Sequence, residues 1–173
     1  MRVNVRSNFI VFLISIVQHY NHKKYWKRRY YVLDLKKRNL FKKYWFLLYI
    51  KRCDAYNNAS FGTNINYGAF FKSPPILPHH LNGIIVSPNS KIGDNCIIFQ
   101  QVTLAQDDDG FAPSIGDNVL IGAGAKIIGN VKIGNNVKIG NNVKIGSNCI
   151  VVEDIPDNAT VVMNKPRIIC KNI

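Results

Sequence analysis

The side chains best suited to proton transfer are two adjacent histidines, His79 and His80, which stand just before Gly83 and a short apolar run. Imidazole has a usual pKa close to neutral pH, so a positioned histidine can accept the proton of a hydroxyl group. A catalytic zinc site needs three protein ligands, and the other two histidines, His19 and His22, lie in a distant basic segment. These residue types therefore predict acid–base chemistry and no metal site.

The framework that must position these histidines is indicated by a six-residue repeat. Isoleucines recur at Ile115, Ile121, Ile127, Ile133, Ile139 and Ile145. Smaller apolar residues follow four positions after each, at Val119, Ala125, Val131, Val137, Val143 and Cys149. A period of six fits neither an α-helix nor an alternating strand, but it is typical of a hexapeptide β-helix with about eighteen residues per coil. The phase also extends upstream through Val86, Ile92, Ile98 and Leu104. We therefore predict a mainly β fold, a left-handed parallel β-helix with a short α-helical N-terminal extension.

The repeat is interrupted once, between Leu104 and Ile115, where the spacing is neither six nor twelve. The segment 105–114 is therefore predicted to leave the prism as an excursion loop, and loops on a rigid scaffold frequently carry function. The resulting regions are an extension (1–52), a β-helix domain (53–155) and a C-terminal tail (156–173).

The extension carries much of the formal net charge of +13. Between Lys23 and Arg52 there are twelve Lys or Arg residues and one acid, Asp34, with many interleaved aromatic residues. Three interpretations stay open: a solvated extension whose aromatic residues pack on the main domain, a segment on an anionic membrane surface, and nucleic-acid binding. No nucleic-acid motif accompanies the charge, so we expect no nucleic-acid partner.

The location of the protein is indicated by its cysteines and by one apolar run. The run 9–17 is too short to span a bilayer, and no small-residue cleavage site follows it. Four scattered cysteines predict reduced thiols rather than a disulfide framework. We expect a cytoplasmic protein, with peripheral contact at the inner face of the membrane left open.

The whole pattern resembles the hexapeptide-repeat acyltransferases, and within them the serine acetyltransferase-like branch. The stretches that carry the resemblance are HHLNGIIV (79–86), KIGDNCIIFQQVTL (91–104) and SIGDNVLIGAGAKIIGNVKIG (114–134). The resemblance implies a homotrimer that transfers an acetyl group from acetyl-coenzyme A, which would lie between neighbouring prisms.

The same resemblance implies roles for individual residues. His80 is expected to be the general base, and Asp54 the carboxylate that orients it. Eleven more residues separate this pair than in serine acetyltransferases. A backbone N–H of Ala105 or Gln106 is expected to bind the oxyanion. Contacts to coenzyme A are implied for Gly122, Ala123, Gly124, Ala125, Asn141, Lys165 and Arg167.

The acceptor is the least constrained part of this interpretation. Serine acetyltransferases bind the substrate carboxylate with an Arg-His pair in the excursion loop, and this chain has Phe111 and Ala112 there. Acceptor-binding roles are assigned instead to His79, Asp107, Asp108 and Asp109. The resemblance extends to polysaccharide O-acetyltransferases, so we expect a sugar hydroxyl in a surface polysaccharide as acceptor. Serine O-acetylation, amino-sugar N-acetylation and a non-catalytic trimeric scaffold are the alternatives.

Overall fold

Helices α1 (His22–Leu33) and α2 (Leu40–Tyr56) precede the β-structure in the computed structural model, which describes residues 15–139 and 148–162. Each follows an asparagine whose side-chain oxygen accepts a backbone N–H of the first turn: Asn21 from Lys24, and Asn39 from Lys42, both at 2.9 Å. These side-chain caps satisfy N–H groups that have no partner within the helix, and they explain where both helices begin.

Short parallel strands, joined by turns and loops, follow the helices. In order they are β1 (Phe70–Phe71), β2 (Ile85–Val86), β3 (Lys91–Ile92), β4 (Ile97–Ile98), β5 (Thr103–Ala105), β6 (Ser114–Ile115), β7 (Leu120–Ile121), β8 (Lys126–Ile128), β9 (Lys132–Ile133), β10 (Lys138–Ile139), β11 (Ile150–Val151) and β12 (Thr160–Val161). They stack into three sheets with the orders β1-β3-β6-β9, β12-β10-β7-β4 and β11-β8-β5-β2. Each sheet is one face of a triangular prism, so the predicted left-handed β-helix is confirmed.

The isoleucine repeat supplies the core of this prism. Ile92, Ile115 and Ile133 are register partners on one face, and each is at least 96% buried. The residue before each of them points outward, because successive side chains of a strand alternate between its two faces. Residues 106–113 connect β5 to β6, whereas Ala105 and Ser114 of the predicted loop belong to these strands.

The prism begins earlier than the repeat indicates. Ser60 bridges to Ile85 and Ile76 bridges to Ile97, so a further coil precedes β2. Phe61 and Phe71 face into this coil and are almost completely buried. The hexapeptide phase does not reveal the coil, because large aromatic residues take the place of isoleucine.

Helix α1 closes the open end of this first coil. The Trp26 ring lies 4.9 Å from Phe71 and 5.5 Å from Phe61, measured between centroids. The buried guanidinium of Arg29 donates hydrogen bonds to the carbonyls of Phe61 and Ala69. The aromatic ring of Trp26 thereby covers the first coil, and Arg29 supplies hydrogen-bond donors to its backbone carbonyls, which would otherwise lie at an exposed edge.

One part of the predicted register is wrong. Eighteen residues per coil would put Ile145 beside Ile127, but the structure pairs Ile127 with Val151. The same sheet therefore has a coil of 24 residues between Lys126 and Ile150. The six additional residues come between β10 and β11 in the chain, a stretch that includes residues outside the described ones. After this stretch the chain pairs again on the same sheet as β8.

The aromatic residues of the extension divide into two groups. Tyr25 and Trp26 are buried, and Arg28 of α1 lies 4.0 Å from the ring centroid of Tyr49 on α2. Other aromatic residues of α2 are exposed, so packing on the main domain accounts for only part of the extension. No helix of the described residues is long and apolar enough to cross a membrane.

Candidate active site

A tight turn between β1 and β2 presents His80. The His80 N–H donates to the Leu77 carbonyl at 3.1 Å, and the backbone of His80 has a φ of 57°, a left-handed conformation that is uncommon for residues other than glycine. Leu81, which is fully buried, anchors the turn in the core. The Gly83 N–H donates to the carbonyl of Asn57 at the end of α2, at 2.9 Å. Backbone strain held by surrounding structure in this way is common at functional sites.

His80 and His79 border a pocket of about 260 Å³. Its other lining residues are Gln18, Tyr56, Asn57, Asn58 and Asn82. Burial, and after it the neighbouring His79, lowers the pKa of the His80 imidazole. The ring is therefore predominantly neutral at neutral pH, which is the form that a general base requires.

Asp54 lies near the end of α2 and is 4% exposed. The Tyr25 hydroxyl donates to its Oδ1 at 2.7 Å, whereas its Oδ2 is buried and has no partner among the residues that the structure describes. Burial raises the pKa of this carboxyl to about 6, against the opposing effect of the Tyr25 hydrogen bond. Burying an ionised oxygen without a hydrogen-bond donor raises the free energy of the folded protein. A further donor at Oδ2 would therefore stabilise the carboxylate.

No hydrogen bond joins Asp54 to His80 within the described ranges, and two tyrosines form the link instead. The Tyr20 ring lies edge-on to His80 at 5.7 Å and edge-on to Tyr25 at 5.5 Å. Tyr25 in turn holds the Asp54 carboxylate. A direct Asp54–His80 contact therefore stays a prediction, and the structure adds the tyrosine pair between them.

Asp54→Asn is expected to stabilise the protein at about pH 8 and to change little at about pH 4. The folded protein binds this proton more tightly than the unfolded chain, so the free energy of unfolding falls as pH rises from about 4 to about 6. This decrease in the free energy of unfolding is on the order of 3 kcal/mol. The variant should not show it, because its amide side chain does not ionise. Thermal melts across this pH range measure the effect. Asp109→Asn, at an exposed loop position, is the control, and identical responses of the two variants would contradict the burial argument.

The excursion loop uses one of its aspartates for its own structure. Asp107 Oδ1 accepts the backbone N–H of Phe111 at 2.8 Å, and the Asp107 carbonyl accepts the N–H of Gly110 at 3.1 Å. Asp108 and Asp109 are exposed. The predicted acceptor-binding role of these residues remains untested, but turn closure accounts for Asp107 without a ligand.

Of the two oxyanion candidates, Gln106 has the more available backbone donor. Ala105 belongs to β5 and pairs with Ile128. Gln106 follows the strand, and its N–H has no acceptor in the part of the chain that the structure describes. Its side chain is held by Ser87, whose hydroxyl donates to Gln106 Oε1 at 2.8 Å. An unpaired N–H on an anchored residue is the kind of donor that can stabilise a developing oxyanion.

The small residues Gly122, Ala123, Gly124 and Ala125 have a packing explanation. The Gly124 N–H donates to the Gln100 carbonyl at 2.9 Å, and Asn148 N–H donates to the Ala123 carbonyl at 3.1 Å. Gly124 has a φ of 70°, a left-handed conformation that favours glycine. The local backbone conformation therefore explains this glycine, and the predicted coenzyme A contact remains a prediction. The other predicted contacts, Asn141, Lys165 and Arg167, lie outside the described residues.

Sequence reasoning missed the contribution of the N-terminal extension to this site. Gln18 borders the pocket and Tyr20 contacts His80, although both belong to a segment predicted as a separate region. The one available signal was the spacing of Tyr25, Arg29 and Val32, which places all three on one helical face. All three are buried.

The prism and its repeat have a match among known protein families. Residues 112–147 match the family profile described as bacterial transferase hexapeptide (six repeats). The repeat region of this chain is therefore similar to that of the hexapeptide-repeat transferases.

Individual relatives carry a more specific name. The chain is 44% identical over 114 residues to serine acetyltransferase 1, chloroplastic, of Arabidopsis thaliana, covering 64% of this chain and 34% of that protein. It is 39% identical over 104 residues to a serine acetyltransferase of Staphylococcus aureus, covering 58% and 46%. The chain thus spans less than half of the length of these curated relatives.

Solved structures give the same name. A Neisseria gonorrhoeae serine acetyltransferase in complex with serine is similar with a TM-score of 0.60 and 26% identity, over 95% of this chain and 63% of that chain. A serine acetyltransferase in complex with CoA has a TM-score of 0.59 and 28% identity, over 80% and 51%.

The prediction of a sugar hydroxyl in a surface polysaccharide as acceptor is wrong in the light of these relatives, which are serine acetyltransferases. That prediction depended on the missing Arg-His pair and on the three loop aspartates. The Asp107 carboxylate closes its own turn, so the acidity of the loop is not evidence for a polyol ligand.

Proposed function

We propose that this chain is an acetyl-CoA-dependent acetyltransferase whose acceptor is the hydroxyl group of L-serine. The observation that carries the proposal is His80, a half-buried imidazole with a lowered pKa, at the border of a pocket in a chain whose relatives are serine acetyltransferases. The chain spans only part of the length of those relatives.

The pocket has the polarity that an amino acid requires. Four carboxamide side chains line it: Gln18, Asn57, Asn58 and Asn82. Carboxamides provide both N–H donors, which suit a carboxylate, and oxygen acceptors, which suit an ammonium group. Within the described residues the Oε1 of Gln18 is buried without a hydrogen-bond donor, so it can accept from a bound ammonium group. The Nδ2 of Asn57 already donates to the carbonyls of Gln18 and Cys53. The other three amides can take the place of the Arg-His pair that the excursion loop lacks.

The transfer needs one base and one oxyanion donor. The serine hydroxyl oxygen attacks the thioester carbonyl carbon while its proton passes to the neutral imidazole of His80. The carbonyl oxygen becomes negative in the tetrahedral intermediate, where the N–H of Gln106 can donate to it. The C–S bond then breaks, and the imidazolium returns the proton to the departing thiolate. The products are O-acetyl-L-serine and coenzyme A, and the enzyme is regenerated.

A homotrimer with acetyl-CoA between neighbouring prisms completes this proposal. The outward residues of the strands are polar in many coils, and Lys126 on β8 is exposed beside the small-residue segment. A cation at this position can meet a phosphate of coenzyme A.

The purified chain is expected to release coenzyme A thiol from acetyl-CoA in the presence of L-serine but not of L-alanine, which lacks the hydroxyl. Thiol release is followed spectroscopically, and the acetylated product is identified by mass. Transfer only to an amino sugar would contradict the proposed acceptor. Failure to bind acetyl-CoA in calorimetry would instead support a non-catalytic scaffold.

A further inference from the structure

One face of α2 is apolar and has no partner in the described protein. Phe41, Tyr44, Trp45 and Leu48, here called the α2 outer face, are 82%, 61%, 61% and 63% exposed. Their spacing of three and four residues places them side by side on the helix. The opposite side of α2 is the packed one, because Lys43, Ile50 and Cys53 are buried there. The outer face is therefore an aromatic stripe that points away from the core.

Cations border this stripe at both of its ends. Lys36, Lys37 and Arg38 are exposed just before the helix, and Lys51 and Arg52 are exposed near its end. None of these five forms an ion pair among the described residues. The single acid of α2, Asp54, is buried on the other side, so no exposed carboxylate lies on this helix.

This charge pattern decides between the possible occupants. A second copy of the chain placed on the face by a two-fold axis would bring the same cations against each other, with no carboxylate on either helix to compensate them. A neighbour in the proposed homotrimer would present a different surface, but every copy carries the formal net charge of +13, so that contact is also electrostatically unfavourable. An anionic partner has no such penalty. Tryptophan and tyrosine favour the headgroup level of a bilayer, and flanking Lys and Arg meet anionic lipid headgroups.

We propose that the α2 outer face docks the protein on the surface of an anionic lipid membrane, with α2 parallel to the bilayer plane. The apolar rings of Phe41 and Trp45 enter the boundary between headgroups and acyl chains, and the cations at both ends of the helix bind lipid phosphates. This inference is independent of the acceptor proposed above, because the face lies on the side of α2 opposite Asp54.

The test is cosedimentation of the full chain with vesicles of phosphatidylcholine, with and without phosphatidylglycerol. We expect binding to the anionic vesicles that high salt weakens, and at least about tenfold weaker binding to the neutral ones. Phe41→Ser combined with Trp45→Ser should reduce binding by about tenfold or more. The matched control is Phe70→Ser combined with Phe111→Ser, which removes two exposed aromatic rings outside α2 and should bind as the unaltered protein does.

A second pair of variants separates position from total charge. Lys37→Gln combined with Arg38→Gln should weaken vesicle binding, whereas Lys91→Gln combined with Lys132→Gln on the prism should have little effect. Thermal melts establish that all variants are folded. Equal binding of the aromatic variant and its control would overturn the proposal. So would absence of vesicle binding together with a change of oligomeric mass in the aromatic variant, which would assign the face to a contact between copies of the chain.

Discussion

Replacing His80 by alanine is expected to lower the turnover of acetyl transfer to L-serine by on the order of a hundredfold or more. The variant loses the only group in the proposed mechanism that can take the hydroxyl proton. The thioester contacts of the proposed mechanism do not involve this side chain, so coenzyme A binding should persist. Steady-state thiol release gives the turnover, and calorimetry gives the coenzyme A affinity.

His79→Ala is the matched control for that experiment, because it removes the neighbouring imidazole at the same turn. It should reduce turnover far less than His80→Ala does. The acid limb of its pH–rate profile should also move to higher pH. The charge of His79 contributes to the lowered pKa of His80, so its removal should raise that pKa. Near-normal turnover in His80→Ala would rule out His80 as the base.

Ile127→Asp is expected to unfold the prism. Ile127 is fully buried and lies between its register partners Leu104 and Val151 in the neighbouring coils. A carboxylate at this position would have no compensating partner, which costs more than about 4 kcal/mol, a large part of the stability of a typical domain. Circular dichroism and a thermal melt would measure the loss.

The next residue on the same strand provides the control. Ile128 is 37% exposed, and its side chain points to the opposite face of β8. Ile128→Asp should therefore melt close to the unaltered protein, although it makes the same chemical change. Equal destabilisation by both substitutions would mean that burial inside the prism does not determine the stability of this strand.

The prism could be predicted because its signal is local and repeated. Ile115, Ile121 and Ile127 each face the interior, and a single hexad already contains the information that puts them there. His80 could be located for a similar reason, since it precedes a recognisable apolar run. The contacts of Tyr20 and Tyr25 could not be predicted, because they join residues of the extension to residues more than twenty-five positions away. Such contacts depend on tertiary packing, which periodicity does not report.

The acceptor was mispredicted for a different reason. Polar side chains in a loop can bind a ligand only if the loop does not need them for its own hydrogen bonds. Asp107 is needed in this way, because its carboxylate accepts the backbone N–H of Phe111. The carboxamides at the pocket carry no comparable motif. Asparagine is also common at the turns of the repeat, so Asn57, Asn58 and Asn82 do not differ from structural asparagines in the sequence.

The 24-residue coil has a consequence for how this protein can change in length. The hexads 132–137 and 138–143 have the identical sequence KIGNNV, as expected of a tandem duplication in the gene. Val151 nevertheless pairs with Ile127, and Val161 pairs with Ile139. Loss of one whole hexad would give this coil the regular eighteen residues, so we expect the outward residues of the last coil to stay on the same faces. Replication slippage could then shorten the gene here while selection continued to act on an unchanged surface.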